Sequence, residues 1–469
     1  MNTMGLNGQT TQDTFSETTR SVCPECLKVV EAEIILRDNR VIMRKSCPAH
    51  GRFEALLSSD AAMYLESLPY NKPGTLPLGF STEVKDGCPL DCGLCPDHQQ
   101  HTCLALIEVN SHCNLNCPIC FADSQPAFNL SMPQVERMLN RFIELEGGPE
   151  VIQFSGGEPS LHPDILQILR LAKKKGIKVI MLNTNGLRIA EDDRFLAGLA
   201  DIRPTIYLQF DGFTAQTYER IRGKDLLSIK LNALDRLAQA KIDVVLVPTI
   251  EKHVNHDEIG ELVKFGIKHP AVRGVSFQTV THAGRFGEFD PLDRETIPDV
   301  IHGIAQQTGG MFVESDFIPV PCCHPTCRSA TYAYVDKGKI TPLPRVVPVD
   351  KYLDYITNRT FPDVKPEVLK ALEGLWSASS VPGAASTVTQ IRAACCDLPF
   401  LSRADYLKKH VFQIVIQDFA DAYTMDLNVL RKCCIGELIP DGRMIPFCAY
   451  NSLGYRQKVR ADLMAGKMQ

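Results

Sequence analysis

Between residues 104 and 310 the chain alternates short apolar runs with longer amphipathic ones, and few folds accommodate that rhythm. "CLALIEV", "EVIQFSGGEP", "KVIMLNTNG", "PTIYLQFDG", "DVVLVPTI" and "VRGVSFQTV" read as strands, with helical patterns such as "SMPQVERMLNRFIELEG" and "PDILQILRLAKKKG" between them. Ser131, with Gln134 three residues on, predicts a capping box for the first helix, and Gly176 predicts the end of the second. Strands apolar on both faces and joined by helices form a parallel sheet. Six such units predict an α/β fold, a partial (β/α)6 TIM-like barrel whose site lies at the strand C-termini.

Cysteine is the other constraint. Eighteen cysteines in a chain of 469 residues exceed what packing explains, and the polar N-terminus lacks the apolar core of an export signal. Most fall in pairs two or three residues apart, a spacing that brings thiolates onto one ion or cluster and that disulfides do not need. The expected compartment is therefore reducing, anaerobic and cytoplasmic, with membranes touched only peripherally, if at all. No apolar run approaches the roughly 18 residues that span a bilayer. The net charge of −5 offers no general attraction for nucleic acid. Boundaries follow from these patterns: a disordered segment 1–20, a metal-binding ribbon 21–70, a cysteine-rich segment 71–103, the partial barrel 104–310, and a helix-rich C-terminal region 311–469 with further cysteines.

The chemistry gathers at the predicted strand ends. After the first strand, "HCNLNCPICFADS" places Cys113, Cys117 and Cys120 three and then two residues apart with no fourth thiol close behind. Three thiolates hold three irons of a [4Fe–4S] cube and leave the fourth iron open to substrate. The second strand ends in Ser155, Gly156, Gly157 and Glu158, where two glycines admit a close ligand and the carboxylate suits an ammonium group. Asn183 and Asn185 follow the third strand, and Gln209 and Asp211, spaced for ribose hydroxyls, follow the fourth. Each motif alone is weak; in order, at successive strand ends, they are specific.

In these residues the chain resembles the radical S-adenosylmethionine (SAM) superfamily. The resemblance implies that the open iron chelates SAM and that a 5′-deoxyadenosyl radical abstracts hydrogen from substrate. Flanking cysteines extend the picture. Cys88, Cys92, Cys95 and Cys103 fit an auxiliary [4Fe–4S] cluster, with a zinc site as the alternative. Cys23, Cys26, Cys47 and His50 are spaced like a zinc-ribbon or rubredoxin-like site for one Zn or Fe, unless His50 is a surface residue and another thiol completes it. Cys322, Cys327, Cys434 and Cys448 are expected to converge on a second auxiliary cluster, the neighbouring Cys323 and Cys433 leaving the choice of thiol open; Cys395 and Cys396 read as buried thiols.

Together with "GCPLDCGLCPDHQQHTC" and "IPFCAYN", these motifs resemble the tetraether synthase group, also described as a dimethyltransferase of 7,8-dihydro-6-hydroxymethylpterin. That likeness implies three [4Fe–4S] clusters, SAM, and an external electron donor of flavodoxin or ferredoxin type. It also implies C–C bond formation between lipid alkyl chains or, alternatively, methyl transfer to a pterin. The first reading expects a long apolar tunnel lined by Phe277, Phe286, Phe317, Ile318 and Val320, residues equally suited to ordinary core. The second expects a short polar pocket with a carboxylate and an amide.

Overall fold

The computed structural model describes residues 13–125, 127–149, 151–346 and 410–468; Cys395 and Cys396 lie outside the described residues. Four antiparallel strands, β1 (Thr14–Val22), β2 (Val29–Arg37), β3 (Arg40–Cys47) and β4 (Gly51–Ser58), pair in chain order as a separate sheet. Asp38 and Asn39, at φ 51° and 56°, join β2 to β3. Their short polar side chains tolerate the left-handed backbone that a two-residue hairpin requires. β1 begins inside the segment 1–20 expected to be disordered. Its first residues carry little apolar signal; their order comes from pairing with β2.

Among the described residues, thirteen strands form the second sheet. Its centre is six parallel strands, β5 (Leu104–Asn110), β6 (Val151–Gly156), β7 (Val179–Thr184), β8 (Thr205–Gln209), β9 (Val244–Val247) and β11 (Val272–Thr279); the short β10 (Thr249–Ile250) pairs beside β11. The expected capping box is present, with Ser131 and Gln134 bonding reciprocally at the start of helix Met132–Glu146. The C-terminal region differs from the helix-rich expectation. It adds β12 (Ile318–Pro319), β13 (Arg328–Asp336), β14 (Lys339–Pro342) and β15 (Val411–Gln417) beyond β11, and β16 (Ile435–Leu438) and β17 (Met444–Pro446) beside β5. The reason is visible in "VFQIVIQ", where Phe412, Ile414 and Ile416 alternate with Gln413, Val415 and Gln417 at a strand's period of two.

The ladder is open, yet its two ends meet. Cys322, just after β12, lies 3.7 Å from Cys434, just before β16. Across the interior, the Tyr207 hydroxyl on β8 reaches past β9 to Ser276 Oγ on β11 at 2.6 Å. Alternation sorts the faces. Leu182, Leu208, Leu246 and Phe277 are wholly buried in the main core that the helices cover. Their neighbours Asn183, Tyr207, Gln209, Ser276 and Gln278 turn to the concave side, where all but Ser276 keep partial exposure.

That sorting corrects the tunnel expectation. Phe277 and Phe317 belong to the main core. Phe286 is 38% exposed and meets the His282 and Phe289 rings edge-on. Ile318 is half-buried on β12, and Val320 is half-buried beside the small cluster that includes Cys322 and Cys434. No helix of the described residues is long and apolar enough to cross a membrane.

Candidate active site

The Cys113–Cys120 loop leaves the C-terminal end of β5 and folds over Leu115, Leu187, Tyr218 and Leu226, with all three thiols against that apolar patch. A two-way backbone pairing of Cys120 with Arg285 at 2.9 Å pins its far end. Burial pushes the Cys113 thiol up to about 12 and raises that of Cys117. Ionised sulfur is therefore disfavoured there until a cation compensates it. The glycine turn after β6 presses on this loop. A Cβ on Gly156, at φ 144°, would sit 2.2 Å from the Asn110 carbonyl oxygen, and one on Gly157 the same distance from that of His112. Three thiols in one nest beside a turn that only glycine can form fit a cluster with one iron free of protein.

Two carboxylates expected to face SAM are engaged elsewhere. Glu158 accepts from Ser160 N at 3.0 Å, Thr184 Oγ1 at 2.6 Å and Asn185 N at 2.7 Å, tying the turn after β6 to the end of β7. Asp211 receives a bidentate pair from Arg222, both bonds 2.7 Å, and a third bond from Thr249 N at 3.0 Å. Both are buried, and a carboxylate there needs those donors. Asn185 is likewise structural, bonding Asn114 at 2.8 Å, whereas Ser155, Asn183 and Gln209 keep partial exposure at the mouth. Sequence reasoning missed Lys230. Wholly buried, it donates to the Asn185 carbonyl at 2.5 Å, and burial lowers its ammonium to about 8. The available signal was a lysine within the buried stripe Leu226, Ala233, Leu234 and Leu237 of its helix.

The remaining described thiols form four further groups, two of which adjoin. Cys23, Cys26, Cys47 and His50 bring their ligand atoms within 4.8 Å of one another at the ribbon's two turns. The Ala49 amide is the leading influence that draws the Cys47 thiol down to about 6, favouring the thiolate a metal needs. Cys88, Cys92 and Cys95 line a small cleft with His98 and Arg431. Cys103, expected to complete that set, instead gathers with Cys322 and Cys434 within 4.8 Å. Sheet register decides this. Leu104 pairs with Ile435, and Cys103 N donates to the Cys434 carbonyl at 2.9 Å, so Cys103 faces Cys434 whatever lies near it in sequence. Cys327 and Cys448 line a second cavity together with Cys323, Cys433 and Cys434. The expected set Cys322, Cys327, Cys434 and Cys448 thus straddles two adjoining groups, with Cys434 in both.

An open thiol triplet at the mouth of a partial parallel barrel, braced by a glycine turn, defines a radical SAM enzyme, with SAM and a [4Fe–4S] cluster as its working parts. Residues 107–266 match the radical SAM superfamily, and residues 15–59 match the HMPTM N-terminal zinc ribbon domain. The chain is 35% identical to the 7,8-dihydro-6-hydroxymethylpterin dimethyltransferase of Methanocaldococcus jannaschii over 94% of each protein, and it belongs to that family of radical SAM enzymes. It is also 31% identical to the GTP 3′,8-cyclase of Chlorobaculum tepidum over 43% of this chain and 63% of that one. Among solved structures, Streptococcus suis SuiB bound to S-adenosylmethionine aligns over 40% of this chain and 44% of its own, with 17% identity and a TM-score of 0.36, a likeness too loose to support a finer comparison.

Proposed function

We propose that this enzyme transfers methyl groups to a reduced pterin. The observation that carries the reading is the polarity of the barrel's concave face. Tyr207 donates to Ser276, and Gln278 Nε2 donates to the Tyr207 oxygen at 3.3 Å. Gln417, which anchors to the Cys327 carbonyl at 2.9 Å, and the half-buried Asp418 line the second thiol cavity, a carboxylate and amide of the kind that read a pyrimidine edge. The relative's printed name points the same way. Alkyl coupling would need an apolar tunnel, and two of the residues expected to line one, Phe277 and Phe317, lie in the main core.

In this reading Cys113, Cys117 and Cys120 hold the cluster, which when bound supplies the electron that cleaves SAM. Gly156 and Gly157 let the turn's backbone lie against the cluster loop. Ser155, Asn183 and Gln209 present polar groups to SAM at the mouth, while Glu158, Asp211 and Lys230 fix the shape of the surrounding loops. The thiol groups at Cys88, Cys92 and Cys95 and at Cys103, Cys322 and Cys434 are ligands for two auxiliary clusters, and the ribbon holds one zinc or iron. An external donor supplies the electrons.

The test is anaerobic reconstitution, then turnover with a low-potential reductant such as dithionite, SAM and either 7,8-dihydro-6-hydroxymethylpterin or total lipid extract. The expected products are 5′-deoxyadenosine and a methylated pterin, with 5′-deoxyadenosine abolished by Ala at Cys113, Cys117 or Cys120. Joined lipid chains alongside unmodified pterin would overturn the reading.

A further inference from the structure

A polar side chain buried in a protein is nearly always hydrogen-bonded, because leaving it unpaired is costly. Two residues of the large sheet break that rule together. Glu437, on β16, is 1% exposed, and Gln153, on β6, is 5% exposed. Glu437 Oε1 accepts from Glu108 N at 3.0 Å. Among the described residues, Oε2 bonds to nothing, and neither does the Gln153 amide. Asn110 Oδ1 and Tyr218 Oη are unpartnered as well, but those atoms are sealed in, whereas Glu437 Oε2 and the Gln153 amide keep some surface open.

Sheet register sets the two side chains in one row. Glu437 pairs with Leu106 on β5, and Leu106 pairs with Gln153. Two strand spacings separate the acid from the amide, about 10 Å, with Leu106 between them. Alternation fixes where they point. Ala105, Ile107, Ile152, Phe154 and Leu438 belong to the helix-covered core, so Leu106, Gln153 and Glu437 face the concave side, with Asn183 and Tyr207. Leu106 and Glu437 stand three residues beyond Cys103 and Cys434, about 10 Å along their strands. The Cys113–Cys120 loop follows the far end of β5, so the row lies inside the barrel between the SAM-binding loop and the deeper thiols. Gln417 and Asp418, at the second thiol cavity, each have a protein partner already: the Arg328 guanidinium for one and the Thr279 hydroxyl, at 2.8 Å, for the other.

We infer that Glu437 and Gln153 bind the amino-bearing edge of the reduced pterin ring, with Leu106 as the apolar floor beneath it. The inference rests on the methyl-transfer reading and names the residues that touch its substrate. Burial and the nearby Glu108 carboxylate favour Glu437 as a neutral acid, which donates from one oxygen and accepts at the other. The Gln153 amide likewise offers a donor and an acceptor. A pterin carries an acceptor ring nitrogen beside its 2-amino group and, next along the same edge, a ring N–H beside a carbonyl. The first pair complements the acid and the second the amide. An alkyl chain would leave every one of these groups unpaired.

The experiment is anaerobic calorimetric titration of the reconstituted full chain with 7,8-dihydro-6-hydroxymethylpterin and with its analogue lacking the 2-amino group. SAM is present and reductant is withheld, so binding is read without turnover. The parent is expected to bind the pterin about tenfold or more tightly than the analogue, because the missing amino group leaves a buried oxygen unpaired. Glu437→Leu should weaken pterin binding by a similar factor and no longer distinguish the two ligands. Gln153→Leu should weaken both ligands equally. SAM affinity and iron content should keep their parental values in both variants. Leu variants that bind the pterin as the parent does would overturn the inference. So would a parent indifferent to the missing amino group, a comparison that needs no variant to fold. Weakened binding with discrimination intact in Glu437→Leu would make that residue structural and likewise overturn it. A parent that binds no pterin would overturn the methyl-transfer reading, and this inference with it.

Discussion

Lys230 shows how a single residue can tie the SAM loops to pH. Its ammonium is held at about 8 by burial, against an ordinary 10.5. Between those values the unfolded chain binds the proton that the folded one has released, so stability rises as pH climbs from 8 to 10.5 and is lost again on the way down. The span amounts to about 3 kcal/mol. Denaturant midpoints of anaerobic protein at pH 7.5 and 10 should show that rise, and Lys230→Met should remove it. Gly157 makes a sharper test of the turn. A methyl group there meets the His112 carbonyl at 2.2 Å, an overlap that costs roughly 1–3 kcal/mol to relieve. Gly157→Ala is expected to weaken SAM binding by about tenfold or more in an anaerobic titration, with the ribbon's metal retained. At this scale the spacing of Cys113, Cys117 and Cys120 already marked the loop that the fold gathers after β5. The sequence was illegible for Glu158 and Asp211, because residue type does not reveal whether a carboxylate already has donors. Only the folded positions of Thr184, Asn185 and Arg222 do.

The C-terminal helix Tyr455–Met464 acts as a latch on the cluster loop. Arg456 donates to the Phe121 carbonyl at 2.5 Å, and Arg460 to those of Ala122 at 2.7 Å and Asp123 at 3.2 Å, immediately after the last loop thiol. Arg456 also balances Glu108, whose second oxygen takes the Tyr450 hydroxyl at 2.9 Å, while burial and the adjacent Glu108 carboxylate raise Glu437 well above the usual carboxylate range. Arg456→Met leaves Glu108 buried without a cation, a loss of about 3–5 kcal/mol. Its expected mark is a lower unfolding midpoint with faster loss of iron from the loop; retention of both would refute the latch. The six parallel strands and their helices were readable from periodicity, which is local. β15 and β16 were not, because their place beside β11 and β5 is decided by long-range pairing, although "VFQIVIQ" carried a strand's alternation in plain view.

Across the whole molecule, the ribbon braces the wall of the second thiol cavity. Thr19 Oγ1 donates to Asp426 at 2.7 Å, Ser21 Oγ to the Met425 carbonyl at 2.5 Å, and Lys45 to the Ala422 carbonyl at 2.7 Å. Asp418, Phe419, Ala420, Met425 and Asp426 from that same segment line the cavity. Removing the ribbon's metal with a chelator should therefore speed hydrogen exchange across residues 418–426 as well as within the ribbon; a change confined to residues 14–58 would show that the two units do not communicate. The meeting of the sheet's ends at sulfur has a consequence for biogenesis. Cys103 emerges from the ribosome long before Cys322, and Cys434 later still, so a growing chain displays an incomplete ligand set through most of its synthesis. A centre that draws on all three thiols can be completed only after translation has passed Cys434, and oxidants that reach the nascent chain sooner would find solitary thiols to trap.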